Sequence, residues 1–549
     1  MKFRYILIKN LFHDTQTVLV IFGVALVLII LVLYPMLTVV LRPELEDWKE
    51  LLETTAYIKV ITNTMFIVLL SSVTATSIGF LFAYAVERAK IPFRKFISYI
   101  AILPIFAPPF VFGLSIIYLF GRNGLITRHI LGIEYNIYGW QGLWIAQTLC
   151  NFPIAFLTIS SILRGSNPTI EHMAMSLGAN RFTIFRTITL PMAMPGIGSA
   201  LLLTMMLALG DFGNPMVIGG RFRVLAVEAF AQVLGRHDMG MGSAIATVLL
   251  IPSFLLFTLY YYFEKRKRYI TVIGKGSRME MILPKPLLRR VLLVLCILLV
   301  IFIGMIYLTI GLGAFTKIWG YDWSLTFSHI SEMFFIKRGM GRIPLWNSTK
   351  ASLAAGLIVA IYATFGAYII NRKVRLGKGF FNFLAILPMG VPGTFMGLGF
   401  ILAFNTPPIV LTGTLSIIIL SMMIRSLPLG YRAAQGTLKQ IDVSIEECAS
   451  DLGANPIRVF RDIVFPLLRT PFIFSFIYSF MLSINTLSAI IFLVSPRSNL
   501  ASVFTMAFVE RGDWSKAAAL TLGIMIITYS VLAVFQLIMK GEKGGGFQI

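Results

Sequence analysis

Apolar runs of membrane-spanning length recur from one end of the chain to the other, and no other feature narrows its possible folds so far. A spanning helix needs about 20 apolar residues, because hydrocarbon offers no partner to an unpaired backbone group. Twelve stretches qualify, near 17–41, 62–85, 97–120, 140–163, 194–212, 240–263, 290–312, 349–370, 380–403, 411–431, 470–492 and 515–539. The fifth and eleventh run into Gly, Asn and Pro, where a break or re-entrant turn is expected. With 57% hydrophobic and 13% charged residues among 549, the composition excludes a water-soluble enzyme. The expected fold class is all-α, a polytopic membrane protein of twelve transmembrane helices. The first run follows Met1-Lys2-Phe3-Arg4, but it is too long for a signal peptide and has no A-x-A site, so it is expected to stay as a helix.

The formal charge of +23 is concentrated between spans. Arg88, Lys90, Arg94 and Lys95 share one loop, nine Lys and Arg from Lys265 to Arg290 another, and Arg372, Lys373, Arg375 and Lys378 a third. All three are even-numbered loops, whereas loop 42–59 carries Glu44, Glu46, Asp47, Glu50 and Glu53. The positive-inside rule then puts both termini in the cytoplasm and explains the charge by a lipid bilayer, with no nucleic-acid partner. Residues 264–289 read as a basic cytoplasmic linker between a first half, 1–263, and a second, 290–549. Three cysteines and five histidines are scattered, which predicts neither a disulfide framework nor a metal site.

The halves repeat each other. EHMAMSLGANRFTIFRTITLP (171–191) and EECASDLGANPIRVFRDIVFP (446–466) align without gaps at an offset of 275, with ten of 21 positions identical. Pro153/Pro428, Arg236/Arg511 and Asp238/Asp513 keep that offset, and AILPIFAPPFVFGL (101–114) matches AILPMGVPGTFMGL (385–398) at 284. Equal orientation makes these two parallel six-helix repeats about an axis along the membrane normal. Each repeated loop is only moderately apolar and lies between the fourth and fifth spans of its half. Its pattern predicts a helix, a turn at Gly178-Ala179-Asn180, and a second short helix from Arg181 stopped by Pro191. Phe182, Phe185 and Ile188 are expected to pack on the bundle, leaving Glu171 and the turn outward. Two rigid knobs about a pseudo-twofold suit a two-fold partner with one groove per half.

Glu447-Cys448-Ala449, then Gly453, Ile463 and Pro466, resemble the E-A-A…G…I-x-L-P signature of permease subunits of binding-protein-dependent ABC importers of the type I fold. Cys448 and Phe465 replace the signature's Ala and Leu. The first copy departs further, with His172-Met173-Ala174 followed by Gly178, Ile188 and Leu190-Pro191. The resemblance implies coupling helices that dock on ATPase subunits, here carried by Glu171, Ala174, Gly178, Ile188 and Pro191 and by Glu446, Glu447, Ala449, Gly453, Ile463 and Pro466. It also implies a solute-loaded extracytoplasmic binding protein, alternating access, and a bacterial inner-membrane location. GDFGNPMVIGG (210–220) with Arg236-His237-Asp238 looks most like the ferric-iron importers of this class; similar fused permeases serve thiamine, phosphonates, phosphorylated sugars and polyamine-like solutes.

No stretch fits G-x-x-x-x-G-K-[ST], so the chain is expected to be a permease and not an enzyme, with ATP and Mg bound by two copies of a separate ATPase. Polar residues within spans are functional candidates by default: Asn151, Asp211, Asn214, Arg425 and Asn485. Asp211 and Asn485 each break an apolar helix at a comparable place and are expected to line the route, although a helix cap or an interhelical hydrogen bond fits them too. Arg425 either packs on a carboxylate, snorkels to the cytoplasmic face, or gates. Pro104, Pro108, Pro109, Pro388 and Pro392 interrupt the third and ninth spans, as hinges or as fixed kinks. An ion-coupled secondary transporter would also have twelve spans but no reason for matched polar loops.

Overall fold

The computed structural model describes residues 15–266, 282–336, 340–374 and 376–541. Most of the expected linker, 267–281, lies outside the described residues. Ten helices are individually long and apolar enough to cross a membrane, and two bent pairs bring the number to twelve. In order they are Leu19–Val40, Thr55–Arg88, Phe110–Ile130, Trp140–Gly165, Arg181–Leu209, Met239–Glu264, Pro286–Phe315, Arg342–Lys373, the pair Lys378–Gly390 and Gly393–Ala403, Leu415–Leu438, the pair Pro456–Leu467 and Arg469–Ile484, and Trp514–Leu537. A two-stranded hairpin, Thr316–Ile318 with Asp322–Leu325, is the one sheet among the described residues. The chain is therefore a multi-pass, all-helical membrane protein.

Proline breaks the third and ninth spans at equivalent places. A residue before proline is pushed out of the helical region, and both Ala107 (φ −89°, ψ 148°) and Val391 (φ −100°, ψ 126°) are extended ahead of Pro108 and Pro392. In the first half a separate helix, Arg94–Ile102, and a tight turn, Leu103–Phe106, precede the span, so residues 97–120 are not one continuous helix. In the second half the two pieces meet at 113°.

The fifth span differs from expectation at its start. Pro191 does not stop the short helix begun at Arg181; one helix runs to Leu209. A π turn at Phe185–Thr189, closed by the Leu190 N–H on the Phe185 carbonyl, changes the hydrogen-bond register just ahead of the proline. The second copy has the same π turn at Phe460–Val464 but breaks at Leu468 and bends by 70°. At their far ends these spans stop at Leu209 and Ile484, where the expected breaks occur.

The halves interlock. Tyr362 of the eighth span donates to the Val24 carbonyl of the first (2.6 Å), and Ser115 of the third donates to the Ile306 carbonyl of the seventh (2.9 Å). The opening span of each half thus lies on the other half. Gly399 and Gly313 permit the close approach, since a Cβ on them would strike the Pro35 carbonyl and the Tyr118 ring. The closing spans cross over too: Ser253 donates to Gly390 O (2.7 Å) and Tyr529 to Leu103 O (3.1 Å), so each closing span is tied to the proline break of the other half. The Met239-Gly240-Met241-Gly242 run packs closely as expected, Gly242 against Val233 and Gly240 against Asp47.

Candidate functional site

Two sites emerge, a pair of loops on one face and a cavity on the seam between the halves. Each loop is a helix–turn–helix. Pro168–Ser176 and Val443–Asp451 form the first helices, capped by Asn167 and Asp442, whose side chains accept from the backbone N–H groups of Thr169 and Ser444. The same bonds from Ser444 hold the Asp442 carboxyl below its ordinary range. Gly178 and Gly453 take φ of +87° and +84°, conformations in which any Cβ is strained. Asn180 and Asn455 then cap the second helices, accepting from the N–H of Thr183 (2.9 Å) and Arg458 (2.8 Å).

The expectation that Glu171 faces outward is corrected. Glu171 is buried, paired with Arg88 at 3.1 Å, and it accepts from Thr189 Oγ1 at 2.9 Å. Glu446 is likewise buried against Arg372 at 3.0 Å. Both arginines ride the final π turns of unusually long spans, Thr55–Arg88 and Arg342–Lys373. At 1.5 Å per residue these reach about 50 Å, longer than the hydrocarbon layer is thick, and their ends receive the loops. Arg88 also bonds Ser166, and Arg372 bonds the carbonyls of Leu438 (2.9 Å) and Ile441 (2.7 Å). Arg88 and Arg372 are related by the offset of 284, a pattern that the positive-inside rule accounts for equally well by topology alone.

Phe185 packs edge-on against Tyr84, and Phe460 lies against Tyr368 and Phe365. Ile188, Ala174, Ala449 and Ile463 are half-buried, whereas Glu447, Pro191 and Pro466 are exposed. Phe182 departs from expectation at 71% exposed, as does its counterpart Ile457 at 73%. Leu177 and Leu452, just before the turn glycines, are each 89% exposed. Each knob therefore roots its glutamate inward and presents apolar side chains outward.

At the seam, a cavity of about 180 Å³ is lined by Asn151, Asp211, Arg425 and Asn485, four of the five intramembrane candidates. The fifth, Asn214, stands behind Asp211: it donates to Asp211 Oδ2 (3.0 Å) through Nδ2 and accepts from the Gly113 N–H (3.0 Å). Gln147 donates to Asp211 Oδ2 (3.2 Å) and accepts from Ser71 (3.0 Å). Asp211 also accepts from the Asn214 N–H (3.3 Å), so it is both a cap and a cavity wall. Sequence reading missed Gln147 and Ser71, which look ordinary in an apolar helix until a carboxylate is placed beside them.

Asn485 reaches across the halves, donating to Phe106 O in the first proline break (2.9 Å) and to Met481 O (2.9 Å). Its buried Oδ1 has no hydrogen-bond partner among the described residues. Arg425 neither pairs with a carboxylate among the described residues nor snorkels; it donates through Nη1 to Ser488 Oγ at 3.0 Å. Its head occupies space left by Gly393, where a Cβ would collide with the guanidinium and with Ser488.

The model of the binding-protein-dependent transport system inner membrane component matches residues 75–269 and again 352–541, once per half. The chain belongs to that family. It is 34% identical over 497 residues to the ferric transport system permease protein FbpB of Actinobacillus pleuropneumoniae, covering 88% of this chain and 72% of that one. It is 35% identical over 459 residues to the putative ferric transport system permease protein FbpB 1 of Haemophilus influenzae, covering 81% and 72%. A bacterial alginate ABC transporter crystallised with its periplasmic protein aligns with 49% of this chain and 99% of its own at 17% identity and a TM-score of 0.40. This chain is thus a permease of the binding-protein-dependent ABC importer class, built from two family units in one polypeptide.

Proposed function

We propose that this permease imports ferric iron into the cytoplasm, delivered by an extracytoplasmic binding protein and driven by ATP hydrolysis in two copies of a separate ATPase. The observation that carries the ATPase part is the pair of knobs. Six spans separate them, so both emerge on one side of the bilayer, and each offers the same apolar tip beside the same glycine turn. A two-fold partner has two equivalent grooves to receive them, and ATP with Mg belongs to that partner. The buried Arg–Glu pairs make each knob rigid against its span, so a displacement of the knob is passed to the bundle.

In this reading the knobs and both termini are cytoplasmic, the membrane is the bacterial inner membrane, and the proline breaks tied to the opposite closing spans let the bundles rock between inward- and outward-open states. Two lines favour iron. The relatives named for ferric transport match over most of the chain. The seam cavity, at about 180 Å³, sets the oxygens of Asn151, Asp211, Asn485 and Ser488 among largely apolar walls. Uptake of ⁵⁵Fe(III) into proteoliposomes holding the permease, its ATPase and the loaded binding protein tests the proposal. Uptake is expected to need ATP, to stop with vanadate and to ignore a protonophore. Uptake that follows a proton or sodium gradient without ATP would instead make the chain a secondary transporter.

A further inference from the structure

The two charges of the seam cavity are not equivalent. Asp211 is held from its own half: Gln147 and Asn214 give its oxygens three hydrogen bonds. Arg425 has one hydrogen bond, to the neutral Ser488, and no carboxylate within ion-pair distance among the described residues. A guanidinium carries five N–H donors and keeps its charge, and charge at membrane depth is costly when nothing compensates it. Its other N–H groups have no hydrogen bond among the described residues, and the residue lines the cavity. The cavity also holds the opposite kind of vacancy, since Asn485, 6% exposed, leaves Oδ1 without a donor.

A fixed guanidinium with idle N–H donors calls for an anionic ligand oxygen, and an idle oxygen acceptor beside it takes a donor. Repulsion and attraction both grow with the product of the charges, so toward an uncomplexed trivalent ion the guanidinium offsets what the Asp211 carboxylate offers. Oxygen ligands carrying net negative charge reverse the sign and give Arg425 charge-assisted partners. Water bound to the metal would give Asn485 Oδ1 the proton it lacks. On the ferric reading above, we propose that the seam cavity takes iron as an anionic oxygen-ligated complex, with Arg425 holding a ligand oxygen and Asn485 accepting from bound water.

The test is equilibrium binding of ⁵⁵Fe(III)-citrate, an anionic chelate, to the full chain in nanodiscs, with citrate alone, inorganic phosphate and hexaamminecobalt(III) as competitors. Wild type is expected to bind the chelate and to lose none of it to the cobalt cation. Arg425→Gln should weaken binding by about tenfold or more, and Arg425→Lys by less, because it keeps the charge without the fork. Retention of the ATPase on co-purification shows that the variants are folded. Equal or tighter binding by Arg425→Gln, displacement by hexaamminecobalt(III), or no binding to wild type would overturn the proposal. Citrate or phosphate binding as tightly without iron as with it would keep the anion contact and overturn the ferric reading alone.

Discussion

At an offset of 275 residues, Leu177 and Leu452 are exposed to the same 89%, and Gly178 and Gly453 differ by only 3° in φ. At that same offset the seam cavity sets Cys150 against Arg425, Gly210 against Asn485 and Asp211 against Thr486. One ancestral unit has thus stayed two-fold at its knobs and become lopsided at its cavity. Symmetry is required only where the partner is itself symmetric. On the function proposed above, a dimeric motor presents one groove twice, whereas a cargo meets both halves at once and is better held by unlike groups.

The largest expected effect tests how equal the loops are. Glu171→Ala strands the Arg88 charge in a buried place, a change costing about 3–5 kcal/mol, and should abolish both ATPase co-purification and uptake. Glu446→Ala should lose less, because Arg372 keeps its carbonyl bonds to Leu438 and Ile441; equal losses would show that those bonds contribute nothing. Next comes the cavity. Asp211→Ala leaves Gln147 and Asn214 without their shared acceptor, at about 1–3 kcal/mol, and should reduce uptake severely while ATPase retention stays intact. Loss of both together would erase the distinction between the two regions.

At the knobs, Leu177→Asp or Leu452→Asp should each weaken ATPase binding by about tenfold, equivalent to about 1.4 kcal/mol. Because both side chains are exposed, thermal stability should move by no more than about 0.5 kcal/mol. The double variant should show the sum of the two losses; a single variant as severe as the double would mean that one knob does all the docking. Gly178→Ala forces a Cβ into a positive-φ turn at about 1 kcal/mol, and a slight loss of coupled uptake is expected, matched by Gly453→Ala.

The twelve spans, the duplication and the proline breaks were legible in the sequence because each is written locally, as a run of apolar residues, a matching string or a ring that fixes φ. What escaped were partnerships across distance. Glu171 looks like a solvent-facing acid until Arg88, on another helix, is brought within 3.1 Å. Helical spacing put Phe182 on the packed face of a helix that does begin at Arg181, but the first turn of that helix leaves Phe182 exposed. Pro191 reads as a stop signal unless a π turn precedes it, and nothing local announces that turn. The convergence of Asn151, Asp211, Arg425 and Asn485 on one cavity was visible only as four separate oddities.

Since the opening helix of each half is clasped by its sibling, as the Tyr362–Val24 and Ser115–Ile306 contacts record, the peptide connection between the halves is not what keeps them together. Two polypeptides severed between residues 264 and 289 and made in the same cell should find each other and assemble a working permease. Either fragment made by itself would leave its mate's helix unsheltered and would be cleared by proteolysis.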